Sequence, residues 1–189
     1  MIHSFTETVL TYKQSELEAW VNGDRTILPE FVPWDEMFEN QPRNHFGEIY
    51  TLSHYSRIYD WKGIYAKYAI GLWEMNNAKL FAGRSKIEAM FSPHQLRKFR
   101  VEFVELIDTM NKGKGEPDLF LFKDNGETLF LEIKKQKDTV KQAQLDCLAL
   151  IRSALKSEVG IVYLKEENQS YFPKTYHLDL VKYKGWEVK

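Results

Sequence analysis

Cysteine is nearly absent: Cys147 is the only one in 189 residues. A single thiol excludes a disulfide framework and a cysteine-rich zinc site, and it points to a reducing compartment. Long apolar runs are missing too. No stretch reaches the roughly 18 consecutive apolar residues that a membrane helix needs. The N-terminus, MIHSFTETVLTYKQSE, lacks a basic start followed by an apolar run, so no secretory signal is expected. A cytoplasmic protein with no membrane partner is the expectation. Internal repeats and low-complexity tracts are absent. No Ser or Cys sits in a nucleophile motif, and no glycine-rich loop offers a nucleotide cradle. The five histidines (His3, His45, His54, His94, His177) show no metal-ligand spacing, and His45 and His54 are expected at the surface.

What is present is an ordinary globular composition, with 43% hydrophobic and 28% charged residues. The length suits one domain with a full core. The net charge of −1 hides an asymmetry. Residues 1–44 hold eight acids and three bases, a net −5, and residues 45–189 carry +4. The balance argues against tight, non-specific DNA binding but leaves room for a local groove that engages phosphates. Residues 79–100 are basic, with Lys79, Arg84, Lys86, Arg97, Lys98 and Arg100 against Glu88. Residues 134–141 contain Lys134, Lys135, Lys137 and Lys141 against Asp138. Taken alone, either run reads as a solvated helix face.

Residues 4–20 are expected to form a helix capped by Ser4 or Thr6. Residues 21–44, rich in proline and aromatics, read as an irregular arm. Phe46, Ile49 and Tyr50 make one apolar row of a helix over 45–59. IYAKYAI, residues 64–70, alternates as a strand does. Ser92-Pro93 is a helix start, followed by Leu96, Phe99, Phe103, Leu106, Ile107 and Met110 at helical spacing. Residues 118–123 and 128–134 read as a hairpin turned at Asp124-Asn125-Gly126. Thr139 is expected to cap a helix reaching about Lys156. Strands follow at GIVYL from Gly160 and over 176–183. The order predicts an α/β fold, a mixed sheet flanked by helices. Residues 1–44 form an N-terminal helical and irregular extension and 45–189 the main domain. The extension is expected to pack on the core, or on a second copy in a homodimer, through Trp20, Phe31, Trp34 and Phe38. Trp61, Trp73, Phe81 and Phe91 read as core rather than base-stacking groups.

The chemistry concentrates in the hairpin. Asp118 opens its first strand, and Glu132-Ile133-Lys134 closes the second. Side chains alternate along a strand, so Glu132 and Lys134 share a face and Ile133 points into the opposite layer. The hairpin then sets Asp118 beside Glu132. Two close carboxylates repel unless a cation lies between them. Oxygen donors on a rigid strand pair suit Mg²⁺ or Mn²⁺, and the Ile133 carbonyl can add another oxygen. Lys134 is then placed to orient water or to neutralise charge on a phosphoryl group. As isolated fragments, Pro-Asp is a dipeptide that chance supplies and Glu-Ile-Lys at a strand end is an ordinary solubilising pattern.

The segment GEPDLFLFKDNGETLFLEIKKQKDTVKQAQLDCLALI, residues 115–151, resembles the PD-(D/E)XK nuclease motif in its virus-type replication-repair nuclease (VRR-NUC) form. The matching residues are Gly115, Pro117, Asp118, Leu119, Glu132, Lys134, Asp138 and Gln144. Cys147 stands where the family commonly has Trp, and Lys135 where it often has Gly. Gln142 competes with Gln144, which has the better spacing. The resemblance implies a restriction-endonuclease-like core and a further glutamate on the first core helix. Glu48 is the choice, ahead of Glu74, Glu102 and Glu105. As a plain structural residue, Glu48 would be a helix-start carboxylate favoured by the macrodipole.

The expected activity is divalent-metal-dependent hydrolysis of DNA, structure-specific for flapped or branched substrates as the resemblance implies. Asp118, Glu132, Ile133 and Glu48 would hold Mg²⁺ or Mn²⁺. Lys134 and Gln144 would complete the catalytic set. Lys135, Lys137, Lys141, Arg84 and Arg97 are the candidates for phosphate contact. Two alternatives stay open: a restriction or junction-resolving enzyme of the same superfamily, and an inactive nuclease fold kept for nucleic-acid binding or assembly.

Overall fold

The computed structural model describes residues 2–32, 44–66, 70, 78–110 and 115–179. Its elements run β1 (Ile2–Tyr12), α1 (Gln14–Val21), α2 (Phe46–Tyr59), β2 (Lys62–Tyr65), α3 (Ala78–Met90), α4 (Pro93–Met110), β3 (Leu119–Phe122), β4 (Thr128–Lys134), α5 (Gln142–Leu150), β5 (Glu158–Glu166) and β6 (Thr175–Asp179). A π-type turn, Ile151–Leu155, extends α5. The six strands form one sheet in the order β2-β3-β4-β5-β1-β6. The β4–β5 and β5–β1 pairs are parallel; the β2–β3, β3–β4 and β1–β6 pairs are antiparallel.

Alternation along the strands builds two cores. Phe120, Phe130 and Ile161 face α4 and α5, where Phe99, Phe103, Leu148 and Ile151 meet them. Leu121, Leu131, Ile133 and Val162 face the other way, against Ile49 and Leu52 of α2 and Trp20 of α1. The result is a mixed sheet with helices on both faces, as expected. The hairpin β3–β4 forms with Leu119 opposite Leu131. Ser92 caps α4 as its sequence predicts: Ser92 Oγ accepts from the Gln95 N–H, and the Gln95 side chain accepts from the Ser92 N–H.

Three expectations need correction. Residues 2–12 are a strand, not a helix; the helix is confined to Gln14–Val21. His3, Phe5 and Glu7 are buried while Ser4, Thr6 and Thr8 are exposed, a period of two. Pairing on both sides, with β5 and with β6, satisfies the backbone that a helix would have satisfied internally. Second, α3 has no counterpart in the sequence reading, because its apolar residues do not repeat on one face. Third, α5 begins at Gln142 rather than after a Thr139 cap. The Gln144 side chain accepts from the Lys141 N–H at 2.9 Å, so the helix starts where that bond can form.

Within residues 21–32, Val32 is buried and Ile27 and Leu28 pack against the second cluster. Trp20 is buried and donates its indole N–H to the Asn44 carbonyl, and Arg25 lies 4.0 Å over its ring. Phe31 remains largely exposed. Trp34, Phe38, Trp73 and Glu74 lie outside the described residues. Phe91 is core, and Trp61 packs at the edge of the second cluster.

Candidate active site

Asp118 is fixed by its neighbours on both sides. Its carbonyl accepts from the Ala66 N–H at 2.8 Å, just past the end of β2. Its carboxylate Oδ2 accepts from the Ile133 N–H at 2.9 Å, across to β4. The β3–β4 register sets Asp118 beside Glu132. Gly115 permits this approach. Its φ is +56°, and a Cβ there would lie 2.1 Å from the Ala143 carbonyl oxygen. Only glycine lets the chain pass so close to the start of α5.

Glu132 and Lys134 share the face that the strand period assigns them. Lys134 Nζ lies 2.6 Å from Glu132 Oε1, with the two side chains 10% and 2% exposed. A charge-assisted bond this dry holds both groups in one geometry. Gln144 reaches the same oxygen through its side-chain nitrogen, whereas Gln142 bonds to Asp146.

Glu48 stands at the start of α2 and faces the same cavity. Gly47 seats that helix end on the sheet, where a Cβ would already touch Leu164 and Ile133. Glu48 Oε1 lies 3.2 Å from His45 Nδ1. Burial pushes the Glu48 carboxyl up, but the His45 bond and charge, with Lys135 nearby, outweigh it, so its pKa sits below the ordinary value. His45 is not the surface residue expected: its side chain is 17% exposed, lies edge-on to Tyr65, and its backbone is left-handed with φ 65°.

These groups line a cavity of about 450 Å³ formed by Glu48, Asp118, Glu132, Ile133, Lys134, Lys135, Lys137, Asp138, Thr139, Lys141 and Gln144. Four carboxylates and four ammonium groups therefore face one space. A turn organises its basic rim: the Asp138 N–H donates to the Lys135 carbonyl at 2.9 Å, and Asp138 Oδ2 accepts from the Lys135 N–H at 3.1 Å. Lys137 takes φ 73° within it. Arg84 and Arg97 do not line the cavity. Arg84 pairs with Glu88 on its own helix at 3.0 Å, and Arg97 is exposed on α4. Sequence reasoning did not single out His45, Asp138 or Thr139 as site residues, although Asp138 was legible as part of the 115–151 motif.

The donor set is oxygen-rich and suits a hard divalent cation. Among the described residues, no three His, Cys, Asp or Glu side chains converge closely enough to hold an ion by themselves. Asp118 and Glu132 supply two carboxylates with the Ile133 backbone beside them. That number fits Mg²⁺, which commonly takes one or two carboxylates and keeps several waters.

No curated protein matches the chain. A crystal structure of paFAN1 bound to 2nt 5′-flap DNA with gap matches at 21% identity and a TM-score of 0.36, over 51% of this chain. The chain spans only 16% of that protein's length. The VRR-NUC domain model matches residues 65–165, from the end of β2 through β5. That range takes in the hairpin with Asp118, Glu132 and Lys134 and the helix with Gln144, and the chain belongs to the VRR-NUC domain family.

Proposed function

We propose that the protein is a divalent-metal-dependent nuclease that hydrolyses DNA phosphodiester bonds, acting on flapped or branched substrates. One observation carries the reading: Asp118, just before β3, accepts from the Ile133 N–H of β4 and so lies beside Glu132, with the Lys134 ammonium 2.6 Å from Glu132. Asp118, Glu132 and the Ile133 carbonyl would hold Mg²⁺ or Mn²⁺, with Glu48 completing the shell directly or through water. Such an ion lowers the pKa of bound water and offsets phosphate charge.

The chain's own groups do the rest. Lys134 positions the attacking water and neutralises charge that develops on the phosphoryl group. Gln144 holds the Glu132 carboxylate in orientation. Lys135, Lys137 and Lys141 receive the flanking phosphates, which supply affinity without sequence readout. DNA is taken as partner because lysines that can receive backbone phosphates line the same cavity as the acids, in a chain of the VRR-NUC domain family.

Purified protein incubated with flapped, branched and linear DNA tests the reading. Cleavage is expected only with Mg²⁺ or Mn²⁺. Asp118→Asn and Lys134→Ala are each expected to slow it by at least about 10²-fold, in line with loss of one electrostatic contributor. If both variants remain folded and cut as fast as the parent, the assignment is wrong. Sequence-specific cutting of intact linear duplex would instead favour a restriction enzyme.

A further inference from the structure

Phe172 is 85% exposed, the most exposed large apolar side chain among the described residues. It lies in the 167–174 connection between β5 and β6, and its neighbours are held firmly. Tyr171 stacks on Tyr163 of β5, with ring centroids 3.5 Å apart and planes 3° from parallel. The Tyr171 hydroxyl donates to Glu7 Oε2 at 2.6 Å, the Lys174 N–H donates to the same oxygen at 2.9 Å, and the Tyr176 hydroxyl donates to Glu7 Oε1 at 2.7 Å. Glu7 itself is 5% exposed. The Glu7 N–H donates to the Lys174 carbonyl at 2.9 Å, which closes the brace. A buried carboxylate with three donors is costly unless fully bonded. Here it anchors both flanks of one exposed aromatic ring.

The brace also stands beside the candidate active site. Tyr163 is the β5 partner of Lys134, and Glu7 and Glu132 are both partners of Ile161, from opposite sides. Residues in register on adjacent strands share a face, about 5 Å apart per strand. The loop therefore rises from the sheet face that carries Glu132 and Lys134.

We propose that Phe172 is a stacking site for an unpaired nucleobase of the strand that enters the active site, with the Lys174 ammonium taking that nucleotide's phosphate. The proposal rests on the nuclease reading for the location of the strand. An aromatic ring with a cation beside it matches one base and one phosphate. Lys174 Nζ lies 5.9 Å from the ring centroid of Tyr171, the residue before Phe172. An unpaired base offers a free face to an exposed ring, which a base held within a duplex stack does not. Fixing Tyr171 and Lys174 on either side of Phe172 before binding lowers the ordering cost of the segment.

Fluorescence anisotropy in EDTA, with no cleavage, tests this on the full chain. The probes are an oligo-dT strand, a duplex with an oligo-dT flap, and a blunt duplex of equal length. Phe172→Ala is expected to weaken binding of the first two by about 5- to 100-fold, the range for one stacked base. Blunt-duplex binding should stay within about twofold, and Phe172→Trp should retain flap binding because every base has a face to stack. Unchanged flap binding in Phe172→Ala, or an equal loss on blunt duplex, overturns the proposal. A parent that binds the flap through Phe172 yet cuts no DNA would sink the nuclease reading alone and support the stacking site.

Discussion

Glu48 keeps a charge where burial opposes it, and His45 is the reason. The folded-state pKa lies below the ordinary 4.5. A depressed carboxyl stabilises the fold above the unfolded value and loses that contribution as pH falls through the folded one. Glu48→Gln should therefore cost stability at neutral pH, and the difference from the parent should shrink as pH falls below about 4. Thermal melts in chelator across that range check it; a constant difference would show that charge is not the cause. Cys147 behaves in the opposite sense. Complete burial pushes its thiol well up, and Glu116, Glu132 and Asp146 push it further. It should resist alkylation in the native protein and react only on unfolding, as measured by mass. At this scale the sequence was informative about Asp118, Glu132 and Lys134, because strand alternation puts Glu132 and Lys134 on one face and the hairpin register brings Asp118 beside them. It was silent on the partner of Glu48, since His45 meets it through a left-handed residue that no spacing rule anticipates.

Among the elements, the entry to β3 is tightly constrained against the start of α5. Gly115 passes the Ala143 carbonyl with no room for a methyl group and with φ +56°. Gly115→Ala should destabilise by about 2–4 kcal/mol, the left-handed penalty plus overpacking. Urea denaturation reads it, and cleavage should fall too because Asp118 follows three residues later. A loss under about 0.5 kcal/mol would mean that the strand entry is not held there. The hairpin and α4 were legible because local signals coincide with tertiary demand: Asp124-Asn125-Gly126 turns, and Ser92 caps. The strand β1 was not. Its Phe5, Val9 and Leu10 suit either period, and only its two neighbours in the sheet decide between them.

Over the whole molecule, a net charge near zero coexists with a lysine-rimmed cavity. DNA affinity should then come from a few local contacts and fall steeply with salt. Replacing Lys141 by Ala should weaken binding of all DNA shapes similarly and reduce the slope of log K against log salt by about 1. An unchanged slope would remove Lys141 from the phosphate contacts.

Residues 115–151 by themselves determined which acids and amine come together, because Asp118, Glu132 and Lys134 are local to one hairpin, and hairpin register follows from the turn and the strand period. Tertiary structure alone decided the rest. The insertion of β1 between β5 and β6, the placing of Glu48 on the same cavity as Asp118, and the clasp of Glu7 by two tyrosines join residues far apart in sequence. Such pairings depend on which surfaces exclude water together, and local periodicity carries no record of them.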